Sequence, residues 1–102
     1  MIKPPYYAVN FTSKKHPNIN GYPELSDQME NLAKTQTRYL GMNSAQSEFG
    51  ITNSDWKTLE DIQNWKSNPD HLIAEQLGRS DFHKWYPVKI VKVEREYNFE
   101  EL

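Results

Sequence analysis

The order of periodic segments predicts an α+β fold of the ferredoxin-like kind, β-α-β-β-α-β, with an antiparallel sheet and a second helix broken in two. Three observations carry it. Aromatic and β-branched runs stand near both ends of the chain, at residues 6–12 and 88–99. Tyr22, Leu25, Met29, Leu32 and Gln36 recur at three- and four-residue steps, which gives one buried helical stripe. Residues 50–86 then pass from strand to helix and hold all three Trp residues.

Taken in order, Tyr6 to Thr12 reads as a strand bounded by Pro4-Pro5 and by Ser13-Lys14-Lys15. Its alternation puts Tyr7, Val9 and Phe11 on one face, and Tyr6, Ala8 and Asn10 on the other. Residues 14–21 (KKHPNING) form a polar loop. Pro23, Glu24 and Asp27 suit the first turns of the helix, and Arg38 and Gly41 suit its end. Residues 40–48 have poor strand propensity, yet their place before the Phe49-Gly50 turn predicts a strand, followed by another over 51–57. Thr58 and Asp61, three apart, are a capping-box variant ahead of Leu59, Ile62 and Trp65. Asn68-Pro69 ends that helix and starts the next, which carries Leu72, Ile73, Gln76 and Leu77 inward until Gly78, with Trp85 closing the helical segment. In the final strand the apolar phase switches after Ile90, as a bulge or burial on both faces would require. The second sheet face needs cover, and a partner sheet supplies it.

The chain of 102 residues fits one domain, 1–102. Its hydrophobic content of 36% is low for a self-sufficient core, which points to apolar surface completed by a second copy. Twelve basic against 14 acidic residues leave no basic stripe for nucleic acid. The absence of Cys excludes disulfides, thiolate nucleophiles and Cys-held metals, and suits a reducing cytoplasm. No apolar run approaches the ~18 residues of a membrane span, and MIKPPYYAVNF lacks a signal-peptide core. The expectation is a cytoplasmic protein without membrane or nucleic-acid partners. The four glycines form no phosphate cradle, and no metal-ligand spacing stands out.

The segments YYAVNFTS, GIT-x-S-x-W-K-T-L-E-D-I-x-x-W-K, D-H-L-I-A-E-Q-L-G-R and V-E-R-x-Y-x-F-E resemble the antibiotic biosynthesis monooxygenase family over nearly the whole chain. The resemblance implies a homodimer whose sheets close into a dimeric α+β barrel, with a pocket between sheet and helices in each subunit. It also implies oxidation of a phenolic, quinol or polyketide-like aromatic by dioxygen, with no metal or flavin. A haem-degrading branch is similar in using an Asn on the first strand, a Trp on the second helix and a His ten residues later. Asn10 and Trp65 match the first two, but Glu75 stands at the third position and His71 comes six after Trp65. A carboxylate replaces imidazole poorly as a haem ligand, so haem ranks below the cofactor-free reading. A non-catalytic ligand-binding or structural dimer is the alternative.

On this reading His71 is the general base and Asn10 a hydrogen-bond donor to substrate or peroxy oxygen. Trp65 and Trp56 would wall an aromatic ligand, though both also suit a plain core. Glu75 can share a helix face with His71, and Arg79 could pair with an anionic group or with nearby carboxylates. Asn53 and Asp55 mark either a wet sheet face or a polar pocket wall, and His83-Lys84 reads as surface.

Overall fold

The computed structural model describes residues 3–101, so residues 1, 2 and 102 of the expected domain lie outside the described residues. Strands β1 (Tyr6–Lys15), β2 (Tyr39–Gln46), β3 (Gly50–Trp56), β4 (His83–Trp85) and β5 (Val88–Val93) form one antiparallel sheet. Helices α1 (Tyr22–Lys34), α2 (Leu59–Ser67) and α3 (Pro69–Leu77) complete the expected order. β1 is central. It pairs with β3 along one side, with β5 over Tyr6 to Phe11 on the other, and with β4 at Lys14 and Lys15. β2 adds outside β3.

The helices gather on the face marked by Tyr7, Val9, Trp56, Tyr39 and Met42. These residues pack with Met29, Leu32 and Ala33 of α1 and Ile62 and Trp65 of α2. Alternation sends Ala8, Asn10, Asn53 and Asp55 to the other face, where Asn53 donates to Asp55 Oδ1 at 3.0 Å. Burial pushes the Asp55 carboxyl up, an effect the Asn53 bond opposes and Glu96 reinforces.

Both predicted helix starts after residue 57 form. Thr58 and Asp61 make a reciprocal capping box, and the Asn68 side chain accepts from the N–H groups of Asp70 and His71. Removing that acceptor in Asn68→Ala is expected to cost about 1 kcal/mol, read as a lower urea midpoint at unchanged m.

Several boundaries differ from expectation. β1 runs on to Lys15 because β3 and β4 both pair with its end, which shortens the predicted loop. α1 stops at Lys34, where the Thr35 hydroxyl donates to the Leu32 carbonyl at 2.6 Å, and Arg38 adopts a left-handed φ of 57°. β5 ends at Val93 rather than at residue 99. β5 has no bulge, so Val88 and Ile90 face the helix side and Val91 and Val93 the opposite face, where Tyr6 and Ala8 are buried. Trp85 lies in β4, after a π-helical turn at Gly78–Phe82, and does not close a helix. No helix among the described residues is long and apolar enough to cross a membrane.

Candidate active site

Three rings stand in series from core to surface. Trp56 is 0% exposed, and its indole N–H donates to Ser54 Oγ at 3.0 Å. Trp65 stacks on it at 5.7 Å and 27°. The His71 ring lies 4.4 Å from Trp65, tilted by 46°. Local sequence explains the column. Trp56 ends β3 on the helix side, Trp65 faces inward from α2, and the Asn68-Pro69 junction starts α3 so that its first turn brings His71 back onto Trp65.

His71 is half-buried, and its Nδ1 has no hydrogen-bond partner among the described residues. Burial pulls its pKa below the ordinary value and prevails over Glu75 and the Lys66 backbone, which favour the charged form. The ring is therefore a neutral imidazole at pH 7, with Glu75 one helical turn along. Beside the column, α1 and α3 leave an open groove of about 380 Å³, lined by Leu25, Gln28, Met29, Leu32, Asp70 and Ile73. Met29 and Leu32 also pack against the Trp65 cluster, so the groove abuts the column. Asp70 and Ile73 flank His71 along α3.

The structure thus brings together His71, Trp65, Trp56 and, through its charge, Glu75. It does not bring Asn10 to them. Asn10 pairs with Asn53 on the sheet face turned away from the helices. Arg79 donates from Nη1 to the Tyr86 hydroxyl at 3.1 Å and does not line the groove. His83, expected at the surface, is half-buried among aromatic rings because β4 pairs with the end of β1. The α1 side of the groove was legible only as the stripe of Leu25, Met29 and Leu32. That stripe gives a buried face without saying what covers it. No group of three or more potential metal ligands occurs among the described residues.

This fold is shared widely. SnoaB from Streptomyces nogalater, a cofactor-independent oxygenase, superposes with a TM-score of 0.78 over 89% of this chain and 95% of its own, at 6% identity. A provisionally assigned antibiotic biosynthesis monooxygenase of Nitrosomonas europaea superposes at 0.73 over 87% and 89%, at 13% identity. In sequence, the uncharacterized protein YqjZ of Bacillus subtilis is 39% identical over 101 residues, covering 97% of this chain and 89% of that protein. No family model matches the sequence. The chain belongs to the family of YqjZ, and its fold is the one these oxygenase structures share.

Proposed function

We propose that the protein is a homodimeric oxygenase that uses dioxygen, without a metal or flavin, to oxidise a small planar phenol or quinol. The observation that carries this reading is the neutral His71 imidazole, set against Trp65 beside the groove. A flat substrate in the groove lies on Met29 and Leu32, which pack against Trp65, beside the first turn of α3 that carries His71. Taking the phenolic proton onto His71 leaves an electron-rich anion whose carbon can combine with dioxygen. Loss of water from the resulting hydroperoxide leaves one oxygen atom on the ring as a carbonyl, and no external reductant is needed. Trp56 holds Trp65 from behind, and Glu75 stabilises the imidazolium once it forms. Asn10 serves such a substrate only from across the dimer, since its own sheet face meets the second copy.

The homodimer is supported by apolar surface left bare in one protomer: Ile51, on the sheet face of Asn10, is 52% exposed, Tyr97 81% and Phe99 93%. Sedimentation as a single chain at micromolar concentration contradicts it. A cytoplasmic site of action belongs to the same reading.

Oxygen uptake with naphthoquinols and tricyclic phenols, measured above the uncatalysed rate, is the test. His71→Ala is expected to lower turnover about 10²–10⁴-fold. In the wild type, the acid limb of the pH profile should lie below the ordinary His value of about 6.5, because burial depresses this group. Unchanged turnover in His71→Ala removes the base. Binding of these aromatics with no oxygen uptake makes the protein a ligand-binding module instead.

A further inference from the structure

The helix-side surface at the far end of β1 gathers polar groups that neither the groove nor the ring column uses. Ser13 is 1% exposed, and its Oγ has no hydrogen-bond partner among the described residues. Opposite it on β3 stands Gly50, which offers no side chain. Over that gap arch Lys15 and Gln46, so close that a Cβ on Gly50 would lie 2.7 Å from Lys15 Nζ and 2.8 Å from Gln46 Oε1. The Lys15 ammonium donates to Gln46 Oε1 at 2.6 Å and lies 4.7 Å from the centre of the Tyr22 ring.

Among the described residues no carboxylate pairs with Lys15, and partial burial pulls its pKa down. Backbone pairing of Lys15 with His83 brings an imidazole alongside. That ring lies 5.5 Å from Phe11 and 5.6 Å from both Tyr22 and Tyr86, and its Nδ1 has no hydrogen-bond partner among the described residues. Burial, then the charges of Lys15 and His16, push His83 down to about 4, so the imidazole is neutral at pH 7.

A partly buried cation held by a neutral acceptor and a ring face stands in one aromatic nest with two buried polar atoms, Ser13 Oγ and His83 Nδ1, that have no hydrogen-bond partner among the described residues. Each costs free energy unless something completes it. We propose that the nest formed by Ser13, Lys15, His83, Phe11, Tyr22 and Tyr86 binds a small aromatic monoanion, a carboxylate or a phenolate. The anion takes the place of the Gln46 carbonyl on Lys15, turning a neutral acceptor into a charge-assisted one. The Ser13 hydroxyl donates to the same group, and the ligand ring meets the edges and faces of Phe11, Tyr22 and Tyr86. Trp65 and His71 have no part in it, so this site stands or falls independently of the oxygenase reading.

The test is calorimetric titration with benzoate, and with benzamide as its uncharged counterpart, while the imidazole resonances are followed by NMR. Benzoate is expected to bind with shifts centred on His83, and benzamide to bind at least about tenfold more weakly. Lys15→Met should lose about tenfold or more in benzoate affinity, and Lys15→Arg, which keeps the charge, should stay within about threefold of the wild type. Thermal melts of both variants establish that each is folded. The site is refuted by equal affinity for benzoate and benzamide, by undiminished binding in folded Lys15→Met, by shifts centred on His71, or by no shift at His83 up to about 10 mM benzoate.

Discussion

Trp56→Ala is expected to lower unfolding stability by about 3–5 kcal/mol, a large part of the roughly 5–15 kcal/mol available to a domain of this size. The side chain is 0% exposed and sits where the sheet meets both α1 and α2. Truncation strips the stacked face of Trp65 and the edge contact of Tyr39, which lies 5.5 Å away at 76°. It also leaves Ser54 Oγ without its indole donor inside the protein. Trp56→Phe keeps an aromatic ring in place and should cost less than half as much. Ser54→Ala isolates the hydrogen bond, since a buried indole N–H left unpaired costs about 1–3 kcal/mol. Trp85→Ala is the control, because that ring is 44% exposed and its loss creates no cavity. Urea unfolding at one fixed protein concentration separates these cases, as a dimer's midpoint moves with concentration. A Trp56→Ala loss no larger than that of Trp85→Ala would show that the ring column does not hold the core.

What the sequence disclosed about this column follows from the range of the interactions involved. Thr58 with Asp61, and Asn68 with Pro69, are helix signals complete within four residues, and both helix starts were legible. Trp65 and Ile62 share a face by helical period alone. The contact of His71 with Trp65 depends on the angle at which α3 leaves α2, and no spacing rule gives that angle. Asn10 shows the opposite case. Strand alternation already placed it opposite Tyr7 and Val9, while the family resemblance joined it to Trp65 and His71; the structure follows the alternation. The end of β5 departs from the sequence pattern for a definite reason. Tyr97 and Phe99 continue an apolar pattern, but Val93 pairs with Tyr6, where β1 begins, so β1 offers later residues no strand to pair with. The burial of His83 is not legible in the sequence because two of the rings around it, Phe11 of β1 and Tyr22 of α1, are far away in the chain.

Asp61→Asn should cost about 2–3 kcal/mol at pH 7, and that cost should fade in acid. Asp61 is 2% exposed and serves two structures at once. Its Oδ2 accepts from the Thr58 backbone N–H at 3.1 Å, from the Thr58 hydroxyl at 2.7 Å and from Arg38 Nε at 2.9 Å. Its Oδ1 lies 2.8 Å from Arg38 Nη2 as an ion pair without hydrogen-bond alignment, and the two contacts join the α1–β2 turn to the start of α2. Burial alone would raise this carboxyl, but the Arg38 and Thr58 bonds outweigh it and hold it below the usual carboxylate range. The folded pKa lies below the unfolded one. The contribution is therefore complete above the unfolded value of about 4 and is lost as pH falls through the folded value. The wild type should thus approach Asp61→Asn in stability as pH falls below the ordinary Asp value of about 4, and a gap that does not narrow on acidification would contradict the charge pairing. The Arg38 side chain is 47% exposed, so water can hydrate the guanidinium when its partner is gone, which keeps the cost below that of a fully buried pair. The residue also holds a left-handed φ of 57°, a conformation that favours glycine by roughly 1 kcal/mol. Arg38→Gly should accordingly be about 1 kcal/mol more stable than Arg38→Ala, although both lose the ion pair with Asp61. Finding Arg38→Ala the more stable of the two would place the turn's backbone elsewhere.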